Sequence, residues 1–280
     1  LFVFGKQYLL DVCTVLKCKI LMNRLQVNCV VRLARFHFCS ANVANSGTNN
    51  LQNVNIVASS EEHCNDSDSL TTIYSKSLRE KDYFDVNSMI NVKDLFDARV
   101  HFGHKIGTLD DRMKTFLFGQ RLGICIFDLD KTLFHMRQAL NFIAHIAYRG
   151  GVILFITNDR MTMHMVENAA RECGEYAHCR QWIPSLLTDS KNKFGFEIRH
   201  PDLIIMTKTL TNVFEPHPAI VEAAKLAIPV VAIVDSNCNP NLITYPIPGN
   251  DDTPSSVQLY LKLFKAAVMK GKEKKKLDFS

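Results

Sequence analysis

Ile124-Cys-Ile-Phe-Asp-Leu-Asp-Lys-Thr-Leu-Phe134, followed by Val152-Ile-Leu-Phe-Ile-Thr-Asn158, is the stretch from which the architecture is read. Each half opens with a short run apolar on both faces, as a buried parallel strand is. Between them Leu133, Met136, Leu140, Ile143, Ala144 and Ala147 recur at helical spacing, and Gly150-Gly151 ends the helix. This is a strand–helix–strand unit, and the pattern continues. The runs Ile124–Asp128, Val152–Ile156, Leu203–Met206 and Val230–Val234 are all predicted as buried parallel strands. Helices are predicted over Arg160–Cys173 and His217–Ala227. A last helix opens at Thr253 as N-cap with Pro254 at its first position, and its apolar face is Val257, Tyr260, Leu261, Phe264 and Val268. Alternation of this kind gives an α/β fold, a doubly wound three-layer sandwich around a mostly parallel sheet, flavodoxin- or Rossmann-like.

Outward from this body the composition changes. Residues 1–60 hold six Lys or Arg and a single acid, Asp11, so of the chain's 33 basic and 28 acidic residues 27 of each lie beyond them. From Met22 the chain is acid-free until Glu61. As a helix, Arg24, Arg32 and Arg35 fall within an arc of about 80°, opposite Val27, Val30, Val31, Ala34 and Phe38. Amphipathic, Arg-bearing, acid-poor sequence of this kind is the composition of a mitochondrial presequence. Residues 1–39 are therefore expected to be a leader with Met22 as initiator. Residues 40–87, starting in a tract of Asn, Ser and Asp, are expected to be a disordered linker or arm, 88–270 a single α/β domain, and 271–280 a basic tail. Asp11, Lys17 and Lys19 interrupt the first apolar run well short of the ~20 residues that a membrane span needs. The nine cysteines include no Cys-x-x-Cys pair, and four of them (Cys13, Cys18, Cys29, Cys39) fall in the leader. That is neither a disulfide framework nor a zinc site, and fits a reducing compartment.

Two readings compete for the first motif. Asp128-Leu-Asp130-Lys-Thr132 at the end of an apolar run is how phosphatases of the haloacid-dehalogenase type present a nucleophile (Asp128) and a general acid–base (Asp130) around Mg²⁺. Thr157-Asn158 would be the second motif, Lys208 or Lys225 the phosphate-neutralising lysine, and Asp251-Asp252 the metal-binding pair. Against this reading, Asp251-Asp252 follows Tyr245-Pro-Ile-Pro-Gly-Asn, a segment broken by two prolines. Val230–Asp235 is followed by no second carboxylate, and no cap insert follows the first motif. No Gly-x-Gly-x-x-Gly or Gly-x-x-x-x-Gly-Lys-Ser/Thr is present to suggest a nucleotide-binding module.

The other reading rests on motifs that occur in order. They are His101-Phe-Gly-His104; Arg112-Met-Lys-Thr-Phe-Leu-Phe-Gly-Gln-Arg-Leu-Gly-Ile-Cys-Ile-Phe-Asp128; Lys131-Thr132; Pro201-Asp-Leu-Ile-Ile205; Glu222-Ala-Ala-Lys-Leu-Ala-Ile-Pro229; Asp235-Ser-Asn-Cys-Asn-Pro240; and Pro246-Ile-Pro-Gly-Asn-Asp-Asp252. With them, the chain from Asp94 to about Lys276 resembles the small-subunit ribosomal protein number two (bacterial S-two type) family, in its mitochondrial form. Two departures stand out. Only Ser190–His200 separates Asp189 from Pro201, so the long coiled-coil hairpin of bacterial members is absent. Trp182-Ile-Pro-Ser-Leu-Leu-Thr-Asp189 stands where the family has Trp-x-Gly-Gly-x-Leu-Thr-Asn.

The resemblance implies a structural constituent of the mitochondrial small ribosomal subunit, in the matrix, and no enzyme. It implies a scaffold at the head–body junction that touches ribosomal RNA and neighbouring mitochondrial ribosomal proteins. No cofactor, metal, membrane, small-molecule substrate or homo-oligomer is expected. His101, His104, Arg112, Lys114 and Lys131 are the candidate RNA or partner contacts, the first four because they cluster in a segment with Gly hinges where they can reach phosphate oxygens. Each has a plainer reading. His101 caps a helix end while Gly103 permits close packing; His-x-x-His is a zinc half-site lacking further ligands; Lys131-Thr132 is first-turn helix chemistry. Asn250-Asp251-Asp252 leads into the last helix, and Trp182 is a packing anchor.

Overall fold

The computed structural model describes residues 77–279, apart from 197, 213 and 214. The leader and presequence expectation for 1–39, and the greater part of the 40–87 arm, lie outside the described residues.

Five strands form an all-parallel sheet: β4 (Ile153–Ile156), β5 (Tyr176–His178), β6 (Leu203–Met206), β7 (Val230–Val234) and β8 (Tyr245–Pro248), in the order β5-β4-β6-β7-β8. Counted within this sheet the order is two-one-three-four-five, the flavodoxin-like arrangement. Strand alternation divides the core in two. Leu203, Ile205, Val231, Ile233 and Ile247 face a layer made by α2 (Leu129–Arg149), α3 (Met163–Cys173) and α6 (Pro254–Asp278). Ile204, Met206, Val230, Ala232 and Val234 face α5 (Pro218–Lys225) and the segment around Trp182 and Leu187. Strands buried on both faces are apolar throughout, which is why these runs show no alternation in the sequence.

Helix α2 is built as its sequence requires. Asp128 is its N-cap, the side chain accepting from Asp130 N at 3.1 Å, and Gly150 closes it in the left-handed region at φ 75°. Met136, Leu140, Ile143, Ala144 and Ala147 are fully buried. Helix α6 begins at Pro254 after Thr253, and its predicted apolar face is buried entire. No helix among the described residues is long and apolar enough to cross a membrane.

Several expectations are corrected. Ile124–Asp128 is not a strand of the parallel sheet. Its strand, β3 (Ile124–Phe127), is the middle of a separate antiparallel sheet with β1 (Phe102–Lys105) and β2 (Leu117–Arg121), in the order β1-β3-β2. Only Cys125 and Phe127 of β3 are buried, whereas Ile124 is exposed. The segment with two prolines is a strand, β8, and it pairs with β7 in the register Ala232↔Pro246 and Val234↔Pro248. It lies at the sheet edge, where a residue without an N–H is tolerated. The ordered fold also starts before Ser88, because Phe84 and Val86 are buried in the main core. Residues 271–278 are not a separate tail but the last turns of α6. There Lys272 pairs with Glu175, and Tyr83 and Tyr148 both donate to Asp278 Oδ2 at 2.7 Å. Between Asp189 and Pro201 lies one five-residue helix, α4 (Ser190–Phe194). The remaining helix, α1 (Val92–Asp97), precedes β1 and buries Leu95.

Candidate functional site

The expected contacts gather on the β1–β3–β2 lobe and the first turn of α2, but the structure assigns them different work. His104 on β1 reaches residues that follow two of the parallel strands, β7 and β8. Its backbone N–H donates to Ser236 Oγ at 2.9 Å, just beyond β7. Its Nδ1 lies 3.1 Å from Asp235 Oδ2 and its Nε2 3.2 Å from Asp252 Oδ2, while Lys208 Nζ, beyond β6, donates to Asp252 Oδ1 at 2.8 Å. The hydrogen bonds to Asp235 and Asp252 outweigh partial burial and push the imidazole up to about 10, so His104 is a cation at neutral pH. Its hydrogen bond, followed by that of Lys208, holds the Asp252 carboxyl well below the usual carboxylate range despite partial burial. Asp251 is pushed the other way, by burial and then by the charge of Asp235.

This approach needs Gly103. A Cβ there would stand 3.0 Å from Ser236 Oγ and 3.2 Å from the Phe127 ring. With both ring nitrogens committed inside the chain, His104 is a clamp between lobe and sheet. It offers nothing to an RNA phosphate or a zinc ion. Among the described residues no group of His, Cys, Asp and Glu is arranged to hold a metal ion.

His101 does not cap a helix. It stacks on Phe96 with ring centroids 4.6 Å apart and planes 8° apart, and meets Phe102 at 4.1 Å. Burial lowers its pKa, and its ring is taken up by this aromatic stack. Lys114 pairs with Asp111 at 2.7 Å. Lys131 donates to Thr115 O at 2.7 Å and lies 3.5 Å from Asp128 Oδ2, while the buried Thr132 hydroxyl donates to Pro248 O at 2.9 Å. Lys131-Thr132 is thus first-turn helix chemistry that ties α2 to β8. Of the five candidates, the stacked His101 and the exposed Arg112 make no ion pair among the described residues, and Arg112 is the one of the two with a guanidinium to offer.

Trp182 is a packing anchor in the second core, and its Nε1 donates to the buried Glu222 at 3.1 Å. The same carboxylate accepts from Ser185 N at 2.7 Å and Leu187 N at 2.9 Å. The loop that lacks the family's Gly pair is therefore held by a buried acid on α5. The phosphatase constellation does not assemble around Asp128. That residue follows an antiparallel strand and caps α2, whereas the clustered acids follow β7 (Asp235) and β8 (Asp251, Asp252), and Asp235 and Asp252 are engaged by His104 and Lys208.

Sequence reading passed over the outer face of the lobe. There Phe96, Phe102, Ile106, Phe118, Leu122 and Ile124 are all exposed; one shallow groove of about 280 Å³ runs from Phe118 to Phe96 and Ile126, and another of about 280 Å³ lies across the β2 edge against Leu117, Gln120 and Cys125. The one signal for it was Leu122-Gly123 between two short apolar runs, which marks a hairpin tip.

Against known proteins, the family model described as Ribosomal protein S2 matches residues 95–195 and 196–271. A Bos taurus protein named small ribosomal subunit protein uS2m is 50% identical over 219 residues, which cover 78% of this chain and 75% of that one. Proteins named small ribosomal subunit protein uS2 from a Nitratiruptor species and from Rickettsia prowazekii (strain Madrid E) are 33% and 32% identical. Both alignments span 66% of this chain and cover 84% and 76% of the relatives.

Proposed function

The chain belongs to the ribosomal protein S2 family, and on that premise we propose that it is a structural constituent of the small subunit of the mitochondrial ribosome. The observation that carries the proposal is the 50% identity to a mitochondrial small-subunit protein across three-quarters of both chains. In this reading the molecule holds ribosomal RNA and neighbouring proteins in place at the head–body junction, as a single copy, and performs no chemistry. The site geometry favours a scaffold. The cluster of His104, Lys208, Asp235 and Asp252 joins two sheets to each other, with its charges paired within the chain. Arg112 is the candidate phosphate contact that remains available, with Lys114 and Lys131 beside it in exchangeable surface pairs. Residues 1–39 act as the mitochondrial presequence and the segment after them as an arm ahead of the α/β domain.

The test is a sucrose gradient of mitochondrial lysate probed for this protein, with and without EDTA. Co-migration with the intact ribosome, moving to the free small subunit when Mg²⁺ is stripped, is the expected result. Recovery only at the top of the gradient overturns it.

A further inference from the structure

The outer face of the β1–β3–β2 sheet has no second layer over it among the described residues. Cys125 and Phe127 of β3 point inward and are buried, so Ile124 and Ile126 point outward. Phe102 pairs with Ile126, and both Lys105 and Arg121 pair with Ile124, which puts all of them on that same face. Phe118, 82% exposed, stands at the bulge of β2 and lines both grooves, with Phe96 of α1 at the rim of one and Ile106 at the rim of the other. At the hairpin tip, Leu122 (φ 52°) and Gly123 (φ 76°) form a two-residue turn with both residues in the left-handed region. Asn or Gly suits the first of these positions. Leu is strained there, and it is 94% exposed. A strained backbone that carries a large apolar side chain into water serves no purpose in the isolated fold.

We propose that this face docks an extended apolar segment of a neighbouring small-subunit protein, a segment that carries at least one carboxylate. It lies along the free edge of β2 and takes Phe118 and Leu122 into its own apolar surface. The proposal rests on the ribosomal reading above. Three observations select this occupant. Lys105 and Arg121 flank Ile124 in register and neither forms an ion pair among the described residues, so the face is an apolar seam with two unmatched cations, the complement of an acidic–apolar strand. Among the described residues β2 has a partner on one side only, which leaves its other edge for strand addition. Phe96, Phe102 and Phe118 offer rings to a nucleotide base, but the tip and centre residues Leu122, Ile124 and Ile106 are aliphatic, and two cations are few for a phosphate backbone.

The experiment uses the full chain with a photoreactive benzoyl-phenylalanine in place of Phe118, irradiated in gradient-purified small subunits. The expected product is an RNase-resistant adduct with another small-subunit protein, mapped to a peptide with alternating large apolar residues and an Asp or Glu. An RNase-sensitive adduct, an adduct with a second copy, an adduct peptide lacking that chemistry, or no adduct overturns the docking proposal while leaving the ribosomal reading intact. Absence of the chain from small-subunit fractions overturns both. A second arm uses Leu122→Asn with Arg121→Glu. The isolated variant is expected to melt no lower than the parent, because Asn suits the turn, yet to enter subunits at least about tenfold less well than the parent in competition. Equal incorporation overturns the proposal.

Discussion

His104 shows how one residue changes role between the line of sequence and the fold. As half of His-x-x-His it is a candidate ligand or phosphate contact; in place, it is a cation held between Asp235, which is 1% exposed, and Asp252. Removing its charge leaves a buried carboxylate unpaired, so His104→Gln is expected to cost about 3 kcal/mol in denaturant unfolding. Its pH dependence follows from the sign of the shift. The folded value, about 10, lies above the ordinary 6.5, so the stabilisation is complete below pH 6.5 and declines as pH rises through 10. Melting across that window is expected to show the decline in the parent and a flatter profile in the variant; parallel profiles would refute the clamp. Ser185 gives a prediction of opposite sign. It stands at the second of the two positions where the family carries glycine, and its φ is 64°. Ser185→Gly is expected to stabilise by about 0.5–1 kcal/mol, because relief of left-handed strain exceeds the added freedom of the unfolded chain. A lowered melting temperature would show that the Glu222 bonds depend on the serine side chain. The type of each residue was legible from the sequence, but its partners, contributed by distant strand ends, were not.

At the scale of elements, the long helices were the easiest to read and the short strands the hardest. α2 and α6 declare themselves through many turns of apolar spacing, an Asp cap, a Gly stop and a Thr-Pro start. Their mutual approach did not declare itself. Gly271 on α6 lies against α2 so closely that a Cβ would stand 2.5 Å from Ala144 O and 2.9 Å from Ala147 Cβ. A backbone carbonyl cannot swing aside as a side chain does. Gly271→Ala is therefore expected to destabilise by about 1–3 kcal/mol, despite the better helix propensity of Ala. Unchanged or raised stability in chemical denaturation would mean that the two helices can separate without loss. The strands failed for a different reason. Four or five apolar residues carry no information about which neighbour they pair with, so β3 looked like β4, β6 and β7 while belonging to another sheet. β8 was hidden by Pro246 and Pro248, which argue against a central strand but are compatible with an edge.

For the whole molecule, charge placement bounds the kind of contact it makes. Beyond residue 60 the 27 basic and 27 acidic residues balance, and several of the lysines are matched to acids on the surface. Residues 61–280 are therefore expected to bind small-subunit RNA with a shallow salt dependence, fewer than about four phosphates by the slope of log affinity against log salt. A steeper slope in filter binding would show that RNA contact, and not protein contact, dominates the interface. The sequence by itself determined the α/β class, the strand–helix alternation, the apolar faces of α2 and α6 with the central strands, and the family. Each of these is carried by local periodicity or by motifs read in order along the chain. Only the tertiary structure decided which polar groups remain free to meet a partner. His104 is neutralised by strand ends that the sheet order brings together, and Phe118 and Leu122 face solvent because the register of a three-stranded sheet turns them outward. Both depend on pairing between distant segments, and that pairing leaves no trace in any short window of sequence.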